Sequence, residues 1–216
     1  MAPVAGPGGG MGQQAYRRLE HLLVTLALAP GALVQESVLC ERLQIGRTPV
    51  REAVQRMAGH GLLRVLPRKG LLVAPVLRSE LNQVLETRRV LERLLVVKAS
   101  ERASIDQRGA LELLAASLER ARHDLQAFLR LDYRLDELLA AAGGNTFLVR
   151  ALEPLHIHCR RCWFLRQSSL DAAQAAGLHA ALARAVAAQD GSGAIRALNG
   201  IIGAMEELVG GLDALS

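Results

Sequence analysis

Two short runs rich in Leu and Val stand on either side of the tetrapeptide PRKG at 67–70: LLRVL at 62–66 and LLVAP at 71–75. Apolar runs of this length around a turn containing Pro and Gly predict a β-hairpin. Apolar residues recur at helical spacing in three segments before the hairpin, and helical segments make up the chain after it. The first part of the chain is therefore predicted to form three helices followed by a two-stranded wing.

The first two helices have recognisable ends in the sequence. The first fits residues 13–28 and is stopped by APG at 29–31, and the second fits 37–43 with Ser37 as its N-cap. The residues before them, 1–11, have neither the basic region nor the apolar run of a signal peptide. We expect residues 1–11 to form a disordered tail.

The third helix carries arginines at its start. Thr48 is a suitable N-cap, Pro49 suits the first helical position, and Gly61 is a suitable stop. Arg47 and Arg51 lie on either side of this start, where the helix dipole favours anions rather than cations. The dipole penalty on a surface is at most about 1 kcal/mol, so a nearby polyanion such as DNA would outweigh it.

The polar face of the third helix has the composition of a DNA-reading surface. Thr48, Arg51 and Gln55 lie on this face with Arg47 at its leading edge, and the opposite face is apolar: Val50, Ala53, Val54 and Met57. Arginine at the N-terminal end of such a helix can bond guanine bidentately in the major groove. The alternative is a solvated face supported by a Glu52–Arg56 pair at i, i+4 spacing.

The remainder of the chain is predicted to be a bundle of about six helices. Half of all residues are hydrophobic and only 3% are aromatic, and the abundant Leu and Ala favour helices. We expect a linker at 77–79, with Ser79 as an N-cap, and a helical domain over 80–216. The predicted helices are 80–103, 105–122, 124–142, 145–167, 170–189 and 193–210.

The composition also predicts in which cellular compartment the protein is found. No stretch approaches the roughly 20 apolar residues that a membrane-spanning helix requires, so no membrane partner is predicted. Three cysteines and no export signal make a disulfide framework unexpected and a reducing cytoplasm the predicted location.

Positive charge is concentrated in the first third of the chain. Residues 12–76 contain nine Lys and Arg against four Asp and Glu, whereas residues 77–216 contain 17 of each. A small basic module followed by a neutral body suggests a head that binds a polyanion. The excess is modest, and improved solubility alone is the other explanation.

The head resembles the winged helix-turn-helix domain of the GntR family of bacterial transcription regulators. The resemblance runs from PG at 30–31 through RTPVREAV at 47–54 and GLL at 61–63 to the wing glycine Gly70 and to Val73. It implies DNA contacts by Arg47, Thr48 and Arg51, and a minor-groove or backbone role for the wing residues Arg68, Lys69 and Gly70. Gln55 joins the predicted DNA-binding residues through its position on the polar face of the third helix. The chain departs from the family in having Gly46 where Ser is usual and Ser37 where an arginine or similar polar residue is common.

The body resembles the FCD ligand-sensing domain of the FadR-like branch of that family. Three stretches carry the resemblance: VLETRRVLERLLVVKASERAS at 84–104, AFLRLDYRLDELLAAAGGN at 127–145 and LHAALARAVAAQDGSGAIRAL at 178–198. It implies a helical bundle around a small-molecule pocket, usually for a carboxylate metabolite. It also implies a homodimer whose two heads read an inverted repeat of double-stranded DNA.

Charged residues interrupt two predicted apolar faces of the body. Arg88 and Glu92 fall on one, and Asp132 and Asp136 fall on the other. Buried charges are costly unless they are paired or bind a ligand. One interpretation is a structural pair of Arg88 with Glu92 or with the aspartates. The other is a pocket, in which the resemblance implies that Arg88 meets the effector's carboxylate, with Asp132, His158 and His179 as further lining residues.

The resemblance also raises the question of a metal. Many FCD domains hold a divalent ion with Asp-x-x-x-His on the third helix and one His on each of the last two. Here Asp132, Asp136 and His179 match or can replace three ligands, and Ile201 replaces the fourth. We expect at most a weakly held ion such as Mn²⁺ or Mg²⁺, and without one Arg88 is the expected cation between the aspartates.

A second metal signal lies in HIHCRRC at 156–162. Cys159 and Cys162 share a predicted inward face with His158, and Cys-x-x-Cys is half of a zinc site. No second Cys/His pair follows at the spacing of a zinc finger, and buried cysteines also pack as small hydrophobic residues.

Three functions are compatible with these patterns. The favoured one is a DNA-binding regulator whose operator affinity depends on a bound metabolite. An enzyme using Asp132, Asp136 and His179 is disfavoured because no nucleophile motif or phosphate loop accompanies them. The third is a helical metabolite-binding protein without specific DNA binding, which the departures at Ser37 and Gly46 would favour.

Overall fold

The computed structural model describes residues 10–168 and 170–212. The predicted tail therefore lies outside the described residues, except for Gly10 and Met11. In chain order the elements are α1 Met11–Val24, β1 Leu33–Val34, α2 Glu36–Leu43, α3 Arg47–Gly59, β2 Leu63–Leu66, β3 Gly70–Val73, α4 Arg78–Arg102, α5 Ile105–Arg120, α6 Leu125–Gly143, α7 Thr146–Leu165, α8 Ala172–Ala187 and α9 Gly191–Gly210. The chain divides into two compact units between Val76 and Leu77.

The first unit contains the three helices and the wing predicted from the sequence. Strands β2 and β3 pair antiparallel, with Leu66 opposite Gly70, which confirms the hairpin around PRKG. Strand β1 is not predicted by the sequence pattern; it pairs with the other edge of β3 and makes a three-stranded sheet of order β1-β3-β2. A two-residue strand is too short to show the alternation by which strands are recognised.

Helix α1 differs from the predicted span of 13–28 at both ends. It begins at Met11, inside the predicted tail, because the Gly10 carbonyl accepts bonds from the Gln13 and Gln14 amides. It ends at Val24 because Leu26 adopts a positive φ of 56° that no helix can continue.

The N-caps predicted for the next two helices each lie two positions too late. Gln35 caps α2 in place of Ser37, and Gly46 caps α3 in place of Thr48, each with extended backbone and no side-chain bond. Pro49 is thus in the first turn, where its missing amide leaves no helical bond unmade. Helix α3 ends with His60 as its C-cap, and Gly61 directly after it adopts a positive φ of 73°, which confirms the predicted stop.

The second unit is the predicted bundle of six helices, α4 to α9. Most of the predicted linker belongs to α4, which begins at Arg78 after Leu77, so Ser79 is not its N-cap. The Leu77 carbonyl accepts the Leu81 amide bond and starts the helix without a side-chain cap. The later helices have side-chain caps on their first turns, from Ser104, Asp124, Asn145, Asp171 and Asp190.

The core of the bundle is built from the apolar faces of these helices. Helix α4 buries Leu81, Leu85, Leu95 and Val96 together with Arg88 and Glu92, as its sequence pattern predicts. Helix α6 likewise buries Asp132 among leucines and a phenylalanine. Among the described residues, no helix combines the length and the apolar character that crossing a membrane requires.

Candidate functional site

The exposed face of α3 carries the polar residues predicted to read DNA. Arg47, Thr48, Arg51 and Gln55 are exposed, and the opposite face is buried against the unit's core through Val50, Ala53, Val54 and Met57. The apolar face fixes the helix, because turning it would expose these four side chains to water. The polar face is therefore held outward as a rigid surface.

Arg51 is held by an ion pair with the neighbouring helix. Its Nε donates to Glu36 Oε1 at the start of α2 over 2.7 Å, while the Arg51 side chain remains 67% exposed. An exposed pair of this kind contributes about 0–1 kcal/mol to stability. It restrains the guanidinium next to the start of α3 and leaves it accessible.

The tip of the wing presents two cations on a tight turn. Arg68 adopts a positive φ of 62°, and Gly70 adopts 105°. A Cβ on Gly70 would lie 2.8 Å from the Val34 carbonyl oxygen, so only glycine fits there. Gln35 donates to the Lys69 carbonyl over 3.0 Å, and the side chains of Arg68 and Lys69 are exposed.

A cluster of buried charged side chains lies on α4, α6 and α7. Arg88 donates through Nε and Nη2 to Glu92 Oε1, over 3.1 and 2.8 Å. Both side chains are buried, and this is the intrahelical pair that the sequence analysis gave as one alternative. The Nε and Nη2 groups of Arg88 are thereby directed at a protein carboxylate.

The cation between the two aspartates is Arg160, not Arg88 as predicted. Arg160 donates to Asp132 Oδ2 through Nε over 2.7 Å, and its Nη2 lies 2.5 Å from Asp136 Oδ2. Its guanidinium also lies over the Tyr133 ring, 3.6 Å from the centroid. The Nε and Nη2 groups of Arg88 bind Glu92, one turn further along α4.

His156 completes the cluster. Its Nε2 lies 2.5 Å from Glu92 Oε1 and its Nδ1 lies 2.6 Å from Asp136 Oδ2. A neutral imidazole would turn a lone pair towards one of these carboxylates, so the geometry favours the doubly protonated ring. Burial alone would lower the pKa of His156, but the Asp136 and Glu92 carboxylates raise it to about 9.

The pKa values of the carboxyl groups in the cluster are lowered, whereas that of His156 is raised. Burial alone would raise the pKa of Glu92, but Arg88 and His156 lower it to about 2. The pKa of Asp136 is lowered well below its usual range by His156 and Arg160 against the same effect of burial. Arg160 and His179 likewise lower the pKa of Asp132. At neutral pH the cluster is thus three carboxylates facing two guanidiniums and one imidazolium.

The structure separates two histidines that the sequence analysis linked to the pocket. His158 is half-buried and lines neither of the two cavities described below, whereas His156 on the same helix is buried and lines the smaller one. His179 is buried, donates from Nδ1 to the Ala175 carbonyl over 2.7 Å, and lies 3.3 Å from Asp132 Oδ1 through Nε2.

The residues proposed for a metal do not fit one. Across residues 10–168 and 170–212, no group of three or more His, Cys, Asp or Glu side chains is arranged to hold an ion. The Asp132 and Asp136 carboxylates converge on the Arg160 guanidinium, which occupies the place of a shared cation. Ile201, at the position of the remaining ligand, is buried and apolar.

The two cysteines of HIHCRRC are buried free thiols on α7. Burial raises the pKa of Cys159, and burial together with Cys159 raises the pKa of Cys162 to about 12. Protonated thiols are poor metal ligands. Both cysteines therefore pack as small apolar groups in the core.

Two cavities adjoin this cluster. A small one of about 10 Å³, the size of one water, is lined by Arg88, Asp132, Asp136, His156, Cys159, Arg160 and Trp163. A larger one of about 220 Å³ is formed by the end of α7 with α8 and α9, and His179 and Ile201 line it. Trp163 lines both cavities.

Comparison with known proteins accounts for both units. Residues 11–73 match the family described as bacterial regulatory proteins, gntR family, and residues 83–204 match the FCD domain. The chain belongs to the GntR family of bacterial regulatory proteins, with an FCD domain as its helical unit. It is a DNA-binding transcription regulator, as the resemblance of both units implied.

The similarity to individual proteins spans most of the chain. An uncharacterized HTH-type regulator from the TAR-I ttuE-ttuC′ intergenic region of Agrobacterium vitis is 31% identical over 138 residues, covering 61% of this chain and 80% of that protein. The uncharacterized HTH-type regulator YdhC of Bacillus subtilis is 27% identical over 68% of each chain. The structure of McbR/YncC from E. coli superposes with a TM-score of 0.78 at 24% identity, over 91% of this chain and 95% of that one, and so shows the same fold.

Proposed function

We propose that a small carboxylate metabolite, bound in the helical unit, controls the affinity of this regulator for its operator. The observation that carries the proposal is the larger cavity, which lies beside the buried charged cluster. Trp163 lines both this cavity and the small one in the cluster, and His179, which lines the larger cavity, lies 3.3 Å from Asp132 Oδ1. An anion bound there would alter the field at the Asp132–Arg160 pair. The unit acts in this proposal by binding, without catalysing a reaction.

The head supplies the DNA contacts in this proposal. Arg47, Thr48, Arg51 and Gln55 would meet base edges in the major groove, because they form the exposed face of α3. Arg68, Lys69 and Gly70 would meet the minor groove or the phosphate backbone, because the wing turn presents two exposed cations. We assign DNA contact to residues 12–76, and effector binding and dimerisation to residues 80–216, so that a homodimer reads an inverted repeat.

Arg51 provides the sharpest test of the DNA contacts. We expect Arg51→Ala to abolish specific binding to the DNA upstream of the protein's own gene, because a bidentate base contact is worth about 1–3 kcal/mol and a symmetric dimer loses two. Mobility shift at physiological salt measures the loss, and circular dichroism with size-exclusion chromatography checks fold and dimer.

Glu36→Gln is the matched control for Arg51. It removes the ion pair but keeps the arginine, so a normal operator affinity in this variant attributes the loss to the guanidinium itself. Wild-type affinity in Arg51→Ala would contradict the assigned contact. Absence of any sequence-specific shift in the wild type would favour a metabolite-binding protein without an operator.

Effector control is tested on the same DNA complex. We expect one member of a panel of small carboxylates to change operator affinity at least about tenfold, equivalent to a coupling of about 1.4 kcal/mol. Matched amides of the same compounds serve as controls, because they keep the shape and lack the charge. An operator affinity that no carboxylate changes would refute the proposed control.

A further inference from the structure

Arg166 lies at the larger cavity, and one N–H group of its guanidinium has no hydrogen-bond partner among the described residues. It follows α7 directly as its C-terminal cap, and it lines the cavity. Its Nε is buried and has no hydrogen-bond partner among the described residues. A buried N–H of a cation that lacks an acceptor is costly, so the protein does not supply all the acceptors that the Arg166 guanidinium needs, and the guanidinium of this lining residue remains a site for an anion.

The neighbouring backbone leaves room for this guanidinium. A Cβ on Gly211 would lie 2.5 Å from Arg166 Nη2, closer than a real side chain permits. Glycine is not needed there for its backbone, since the φ of Gly211 is −82°. A side chain at 211 would therefore have to displace the Arg166 guanidinium from its position.

The remaining walls of the cavity define what else a ligand must have. Most are apolar: Trp163, Leu178, Ile201, Met205 and Leu208. Two carboxylates, Asp171 and Glu207, also line the cavity, and Asp171 Oδ1 accepts the Gln174 amide at the start of α8. These carboxylates disfavour negative charge on the ligand everywhere except beside Arg166, the one Lys or Arg side chain among the described residues that line this cavity. A single anionic group on an apolar body fits the lining.

We propose that Arg166 is the anion-binding group of the effector site, and that the effector is a monocarboxylate with an apolar body. This assignment rests on the proposed control of operator affinity by a carboxylate. Arg88, the residue expected from the sequence to bind the carboxylate, directs Nε and Nη2 at Glu92. His179 lies in the wall between Arg166 and the charged cluster, with its Nε2 3.3 Å from Asp132 Oδ1, and it transmits the presence of the anion to that cluster.

The only tryptophan of the chain makes this site directly measurable. Trp163 lines the cavity, so its fluorescence responds to a ligand there. The probes are hexanoate and hexanamide, which share an apolar tail and differ in charge. We expect saturable binding of hexanoate to the wild type and weaker binding of hexanamide by roughly 10- to 100-fold, as for a hydrogen bond to a charged group.

Variants of Arg166 and of Gly211 distinguish the contribution of the positive charge to hexanoate binding from the contribution of the apolar cavity. Arg166→Met should bind hexanoate and hexanamide alike, and Gly211→Ala should weaken hexanoate by displacing the guanidinium. Arg150→Met, an exposed arginine on the same helix, is the matched control and should bind as the wild type does. No fluorescence change with hexanoate in the wild type, or wild-type hexanoate binding in Arg166→Met, would overturn the proposal.

Parallel measurements of operator affinity separate this site from the proposed control. If hexanoate binds through Arg166 but no carboxylate changes operator affinity, the site stands and the control fails. If a carboxylate changes operator affinity equally in the wild type and in Arg166→Met, the control stands and the assignment of Arg166 is wrong.

Discussion

Arg160 does in this protein what a bound cation does between two carboxylates. Its Nη2 lies 2.6 Å from Asp132 Oδ2 and 2.5 Å from Asp136 Oδ2, and both aspartates belong to one face of α6. A buried pair of this kind costs several kcal/mol when one partner is removed, because an uncompensated charge remains. The guanidinium is thus a permanent part of the core, whereas a bound metal ion could dissociate from the two carboxylates.

Removing Arg160 should convert this cluster into a metal site. Arg160→Ala leaves Asp132 and Asp136 near the imidazoles of His156 and His179, a set of oxygen and nitrogen ligands that suits Zn²⁺ or Mn²⁺. We expect Zn²⁺ to raise the melting temperature of this variant and to remain bound, near one equivalent, after dialysis, as measured by elemental analysis.

Two comparisons complete the test of Arg160. The double variant Arg160→Ala with Asp132→Asn should lose the added zinc, since one ligand is gone. The wild type should show neither effect, because the guanidinium fills the place. Stoichiometric zinc in the dialysed wild type would show that the arginine does not exclude a metal.

His156 links the same cluster to pH. Its pKa is raised from 6.5 to about 9, so its contribution to stability is fully present below about pH 6.5 and is lost as the pH rises through about 9. The shift corresponds to about 3 kcal/mol. We expect the free energy of unfolding in urea to fall between pH 6.5 and 9.5 by this order of magnitude.

Substitutions of two histidines identify the source of this pH dependence. His156→Gln should be less stable at pH 6.5 and should lose most of the decline above it. His123→Gln, which replaces an exposed histidine, should keep the wild-type decline. An unchanged slope in His156→Gln would mean that another group titrates.

At the scale of elements, α7 shows which part of the site could be read from the sequence. His156, Arg160 and Trp163 follow i, i+4, i+7 spacing and form the inner face of this helix. Two of the three are polar, so hydrophobic periodicity does not reveal this face, and the pattern of the neighbouring cysteines favours His158 over His156. Only the register of α7 against α4 and α6 brings Arg160 to the aspartates, and a single sequence does not specify that register.

Much more of the fold than of these contacts could be predicted from the sequence. The six helices of the bundle and the wing hairpin were predicted because apolar spacing and turn residues are local signals. Errors occurred where backbone alone starts a helix, as at Gly46 and Leu77, whose caps use no side chain. The burial of Arg88, Glu92 and Asp132 was also predictable, since each interrupts an apolar stripe.

For the whole molecule, the uneven charge distribution predicts how DNA binding responds to salt. Residues 12–76 carry the excess of Lys and Arg, and residues 77–216 are balanced, so counterion release upon binding should arise in the head. Lys69, exposed at the wing tip, is assigned to the phosphate backbone. We expect Lys69→Ala to weaken operator and unrelated DNA alike, and to reduce the slope of log affinity against log salt by about two in a dimer, one per protomer.

Arg51 should behave differently in the same titrations. Arg51→Ala should lose mainly the preference for operator over unrelated DNA, because its proposed contact is to a base. Arg150→Ala, which removes an exposed charge from α7 in the balanced unit, is the control and should leave both slope and preference unchanged. Fluorescence anisotropy on both DNAs over a range of salt concentrations measures the two quantities. A change of slope in Arg150→Ala equal to that in Lys69→Ala would show that the helical unit shares the polyanion surface, and would refute its restriction to the head.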